Sequence, residues 1–215
     1  MRKTEVRPVN DSVGPSLREA KKRENRKAFL EAGRRVFSEI GLGAATVRDI
    51  VRESGLAQGS FYNYFDSKEA VFEVIVDSVV EQIRARLRES REAAIDGPSF
   101  LIAGYQACME LTAFDPDTAA LMRRNQNAFR AAFYQNQTAS GLLADLVEEL
   151  DGKVASGVFR PHDSAVMAET MISLGVDLII TCLDAPDEAP RRLDFLQDLF
   201  ANALLADGAL DGACC

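Results

Sequence analysis

Apolar residues recur along the chain at helical rather than alternating spacing, and it lacks the clusters of short β-branched runs that strands need, so it reads as all-α. A capping box of Ser16 and Glu19 opens a first helix. Phe29, Gly33, Val36, Phe37 and Ile40 mark its buried face, and Gly41 stops it. A second box, Thr46 and Asp49, starts a helix of about nine residues with Val47, Ile50 and Val51 as its stripe and Ser54-Gly55 as its stop. After Leu56 at the turn, 58–65 forms another short helix with Phe61 and Phe65 four apart on one face. Asp66-Ser67 restarts the chain as a long helix whose apolar positions Phe72, Ile75, Val79, Ile83 and Leu87 run on toward Arg91.

Beyond the break at Asp96-Gly97-Pro98, helices are expected over 100–114, 117–135 and 140–156. A turn at 157–161 precedes Asp163 or Ser164 as the next N-cap. The segment 165–182 is apolar nearly all round, so it must be covered on every side, by its own chain or by a second copy. Pro186 and Pro190 frame a loop, and a last helix over 190–205 carries Leu193, Leu196, Leu199, Phe200 and Leu204. The pattern gives about nine helices. It divides into a disordered basic tail (1–15), a small three-helix unit (16–67), a larger helical unit (68–207) and a disordered end (208–215).

Charge sharpens this division. The chain is acidic overall, with a formal net charge of -8, yet Met1 to Lys68 holds 14 Lys and Arg against 9 Asp and Glu; the remainder holds 11 against 24. A basic module joined to an acidic one suits an anionic partner at the N-terminal end. Hydrophobic content of 47% is ordinary for a soluble protein, and neither a secretory leader nor a run fit to span a membrane is read, so a cytoplasmic address and no membrane partner are expected. Chemistry is sparse. His162 is the only histidine, Cys108 and Cys182 stand alone in apolar segments, and Cys214 and Cys215 end the chain, so no metal, cofactor or enzymatic activity is expected.

Two short helices joined by a tight glycine turn, behind a longer supporting helix in the basic part of the chain, meet the requirements of a helix-turn-helix. Gln58, Ser60, Asn63 and the hydroxyls of Tyr62 and Tyr64 are candidates for the outer side of the second short helix. Gln and Asn can bond an adenine edge in bidentate fashion, and Gly59 lets the backbone come close to a duplex. Four aromatic residues from Phe61 to Phe65 cannot all point inward, so at least one tyrosine is exposed. Thr46 and Lys68, each at a helix start, are candidates for phosphate contacts, and Arg48 can reach a guanine.

The stretch 46–70, TVRDIVRESGLAQGSFYNYFDSKEA, resembles the DNA-binding signature of the TetR family of bacterial transcriptional regulators, without gaps. The resemblance implies three N-terminal helices with a helix-turn-helix, a linking fourth helix, and a variable C-terminal domain for dimerisation and ligand binding. By position, Arg48, Gln58, Gly59, Ser60, Tyr62, Asn63 and Tyr64 match groove-facing and phosphate-contacting residues of the family, and Lys68 matches its phosphate-bound lysine. One departure is Ala57, which stands where the family often has a capping Ser or Thr. Losing such a cap typically costs about 0.5–2 kcal/mol.

A single helix-turn-helix makes too few contacts for specific affinity, so a homodimer on a palindromic double-stranded DNA operator is expected, with the last two helices (164–184 and 190–205) as its interface. Tyr105, Cys108, Met109, Phe129 and Phe133 are candidates to line an apolar ligand cavity. Asp177, a carboxylate in an apolar helix, either joins that cavity or pairs across the dimer. The function expected is therefore sequence-specific transcriptional regulation, as a repressor responsive to a largely apolar small molecule. The rivals are a thiol redox sensor built on Cys108 or Cys182 and a helical small-molecule-binding dimer without specific DNA readout.

Overall fold

The computed structural model describes residues 17–94, 96–135 and 137–205. The Ser16 end of the first capping box, the 1–15 tail and the 208–215 end lie outside the described residues. Among the described residues ten α-helices follow one another: α1 Leu17–Ala44, α2 Val47–Ser54, α3 Gln58–Phe61, α4 Lys68–Glu92, α5 Gly97–Phe114, α6 Pro116–Arg124, α7 Gln126–Gln135, α8 Gln137–Ala155, α9 Ser164–Asp184 and α10 Ala189–Leu204. The fold class is all-α, and ten helices stand where the periodicity gives about nine.

Local chemistry explains the boundaries. Thr46 caps α2 by accepting from the Asp49 N–H at 3.2 Å while the Asp49 carboxylate accepts from the Thr46 N–H at 3.0 Å. The bonds from Thr46, with Arg52 adding to them, hold the Asp49 carboxyl below its ordinary range. Gly55 closes α2 at φ 69°, a left-handed conformation that suits glycine. α5 begins at Gly97 rather than at 100, because Pro98 sits in its first turn, where a missing N–H costs nothing, and the Asp96 carboxylate accepts from the Ser99 N–H at 2.7 Å. α3 is shorter than the expected 58–65. Ala57 gives it no side-chain cap, and after Phe61 the chain turns so that Phe65 is buried, with the Tyr64 and Phe65 N–H groups both bonded to the Phe61 carbonyl.

The expected helix over 117–135 is broken at Asn125, whose side-chain partners lie 83 and 88 residues upstream in α1. Gly41 takes φ 81°, ψ 157° and interrupts α1 near its end. The Asn125 side chain, only 5% exposed, fills that interruption. Its Nδ2 donates to the Phe37 carbonyl at 2.9 Å and to Leu121 at 2.7 Å, and its Oδ1 accepts from the Leu42 N–H at 2.6 Å. One turn away, Arg34 of α1 binds both Asp115 and Thr118 at the start of α6. The small N-terminal unit is thus fastened to α6 at two points besides its continuity with α4.

The cores follow this fastening. One cluster runs from Phe29, Phe37, Ile50 and Phe61 along α4 into Leu121, Met122, Phe129 and Ile179. A second joins α5, α8, α9 and α10 around Leu101, Tyr105, Leu146 and Phe200. α9 has the length and mean hydropathy, 1.8, to cross a membrane by composition, an exception to the expectation of no such run. In the fold it packs against α5, α6 and α8, and half of that stretch is buried inside the chain.

Replacing Asn125 by Ala removes the partner of the half-buried Leu42 N–H and of the buried Phe37 carbonyl. The expected loss in urea denaturation is about 1–3 kcal/mol, the cost of leaving such groups unsatisfied.

Candidate nucleic-acid interface

The reading surface is built from α1 outward. Phe29 and Phe61 meet edge to face at 5.3 Å between centroids, and Phe65 lies beneath the Arg26 guanidinium at 5.1 Å. These contacts hold the one-turn α3 against α1, which its own hydrogen bonds could not do. Arg35 of α1 and Glu53 of α2 pair at 2.6 Å and fix the other helix of the motif. With Phe61 and Phe65 inside, the opposite side of α3 faces solvent. Gln58, Gly59, Tyr62 and Asn63 are exposed there, Tyr62 to 61%, and Arg48 and Thr46 are exposed at the start of α2.

The remaining candidates have partners within the chain. Ser60 is half-buried and its hydroxyl donates to the Ala57 carbonyl at 2.6 Å, leaving its lone pairs as acceptors. Tyr64 is also half-buried: it packs on Phe29 and its hydroxyl accepts from Asn25 at 3.2 Å. Lys68 departs most from the role that the resemblance gave it. Its ammonium donates to the Leu42 and Ala45 carbonyls, both at 2.8 Å, and to Gly43 at 3.5 Å. Three donors meet three carbonyls, so Lys68 fastens the start of α4 to the end of α1 in the free protein.

Gly59 is instructive. A Cβ built on it would meet nothing within 4 Å, so no internal neighbour requires a glycine there. The position weakens a helix that already lacks a cap. Around this face the charge is positive: Lys21, Lys22, Arg23 and Lys27 are exposed along α1.

A second feature lies where the two cores meet. An apolar cavity is walled by Ile83 and Leu87 of α4, Met122 of α6, Phe129 of α7, Leu142 and Leu146 of α8, and Val176 and Ile179 of α9. Tyr105 also lines it, with its hydroxyl donating to the Met171 carbonyl at 2.9 Å. Met109 is half-buried beside the second core and does not line the cavity, and the side chains of Cys108 and Phe133 lie outside the described ones. Asp177 does not line the cavity: it is exposed and bonds Arg130 of α7 within the same chain. The apolar setting read from its neighbours is one side of α9, and Asp177 is on the other. Arg91, which the sequence reading used only to mark the end of a helix, is a buried cavity residue. The signal was there, because Ile83, Leu87 and Arg91 are successive four-residue steps on one face.

Comparison with known proteins agrees with this geometry. Residues 29–75 match the family model described as bacterial regulatory proteins, tetR family. The HTH-type transcriptional repressor KstR2 of Rhodococcus jostii (strain RHA1) is 33% identical over 96 residues, covering 45% of this chain and 44% of that protein, so the alignment spans less than half of either. Among solved structures, a TetR-family transcriptional regulator from Pectobacterium atrosepticum superposes with a TM-score of 0.68 at 19% identity, over 87% of this chain and 97% of that one. FadR from Bacillus subtilis in complex with stearoyl-CoA superposes with a TM-score of 0.64 at 19% identity, over 79% and 96%. The matched segment is the one whose caps, glycine turn and outward polar face follow from its own residues, and over 29–75 the chain carries the sequence pattern of the tetR family of bacterial regulatory proteins.

Proposed function

We propose that this protein is a cytoplasmic, sequence-specific DNA-binding transcriptional regulator. It acts as a repressor on a palindromic operator as a homodimer, and a small molecule bound in the apolar cavity releases it. The carrying observation is the outer side of α3, where Gln58, Tyr62 and Asn63 are exposed around a glycine that nothing inside the protein needs. KstR2, named a repressor, and FadR, solved with stearoyl-CoA, support the same reading. The units 16–67 and 68–207 then serve as DNA-binding and as ligand-binding and dimerisation domains. A redox sensor is disfavoured at Cys182, which is buried and whose thiol burial pushes above its ordinary value, away from the reactive thiolate.

The dimer surface in this reading is the outer side of α9 and α10. Phe195 and Leu199, four apart on α10, are 65% and 42% exposed, and Val166 of α9 is 58% exposed. Large apolar side chains grouped on the last two helices suit a two-fold partner. The effector acts through the walls of its cavity. α4 carries Ile83 and Leu87 and begins beneath the reading module, while Met122 and Phe129 flank Asn125, the residue that holds the end of α1. A ligand shifts this joint only by binding one arrangement more tightly than the other.

Affinity for a selected duplex should fall steeply with salt, whereas Asn63→Ala should reduce discrimination between bases by about 1–3 kcal/mol. Equal binding of random and selected duplexes in a gel-shift titration rejects sequence-specific regulation. Gly59→Ala should separate stability from function. Thermal denaturation should show an unchanged or slightly higher midpoint, by up to about 1 kcal/mol of helix propensity, while operator affinity falls because the new methyl stands between helix and duplex. Phe195→Glu with Leu199→Glu should yield a folded monomer in analytical ultracentrifugation that no longer holds the operator.

A further inference from the structure

The cavity is apolar except at one end. There Arg91, 9% exposed, brings a permanent positive charge and five N–H donors into the interior. One donor is used by a protein acceptor: Nη1 bonds the Glu149 carboxylate at 3.0 Å. The Nε–Nη2 edge has no such acceptor among the described residues and lies beside Gly104, where a Cβ would come within 3.3 Å of Nη2 and 3.4 Å of Nε. Any side chain at 104 would cover that edge. The chain shows elsewhere what the edge is suited to: Arg84, two turns earlier on α4, uses Nε and Nη2 to grip the Asp145 carboxylate at 2.6 and 2.9 Å. A guanidinium edge matches a carboxylate in two parallel hydrogen bonds. The rest of the cavity fixes the ligand's body. From Ile83 to Arg91, and again from Met171 to Ile179, eight residues of helix rise about 12 Å along walls that carry no other charge.

We propose that the effector is a monocarboxylate with an unbranched or flat apolar body about 12 Å long, its carboxylate gripped by the Nε–Nη2 edge of Arg91 and its body laid between α4 and α9 toward Met122 and Phe129. This rests on the ligand-responsive reading above and names the chemistry of its ligand. Glu149 stays on Nη1 and balances the guanidinium when the cavity is empty. Burial pushes its carboxyl above the ordinary range despite Arg91, so it is a weak competitor for the second edge.

The test compares decanoate with decanol, equal in apolar body and different in head group, by isothermal titration calorimetry on the full-length protein. Decanoate is expected to bind about tenfold or more tightly than decanol, the scale of a charge-assisted bidentate contact in a site away from water. Arg91→Met made together with Glu149→Gln, so that neither charge is orphaned, should bring decanoate down to the level of decanol while leaving decanol unchanged. Glu149→Gln alone keeps the guanidinium and should retain or strengthen the preference, which separates loss of the anchor from loss of the fold. Equal affinity of the two compounds for the unaltered protein, binding of neither, or a preference that survives removal of Arg91 overturns the proposal. Operator release, measured separately, distinguishes the two readings: decanoate that binds through Arg91 and leaves operator affinity unchanged upholds the site and rejects the regulatory role.

Discussion

Gly41 leaves α1 with backbone groups that its own helix no longer pairs, and Asn125 takes two of them into the protein interior. Much of the architecture depends on that exchange. Asn125 itself takes φ −122°, ψ 30°, outside the helical range, so α6 and α7 part at the same point. Met122 and Phe129, three residues before it and four after, both line the cavity. Backbone groups buried without partners are costly enough that such a plug has few alternative positions.

The reading module illustrates a different economy. α3 has one turn of helix, no side-chain cap and a glycine at its second position, so its conformation is imposed by aromatic packing on α1 rather than by propensity. Gln58, Tyr62 and Asn63 on the polar face stay exposed as a result. Lys68, by contrast, has its donors committed to the end of α1, which makes it part of the support for that face. Exposed polar side chains and side chains that hold the fold are neighbours here, and their hydrogen-bond partners tell them apart.

Arg91 and Arg84 show how one residue type on one helix takes two roles. Arg84 is satisfied by Asp145 through the edge that Arg91 leaves open, and Gly104 keeps the latter uncovered. The cavity sits at the seam between the two hydrophobic clusters, where neither core alone sets the packing. Such a seam is where a bound molecule would contact residues of both clusters at once.

The amino-acid sequence by itself determined the helical class, the two caps and glycine stop of α2, the buried stripe of α4 and the polar outer side of α3, because each follows from interactions within one or two turns. The gap-free 46–70 stretch made the family legible for the same reason. Only tertiary structure decided that Asn125 would end a helix, that Lys68 would face carbonyls, that Asp177 would pair with Arg130 and that Arg91 would be buried with an edge to spare. Those outcomes depend on groups tens of residues apart meeting in space. No local pattern of hydrophobic and polar positions encodes which distant donor finds which acceptor.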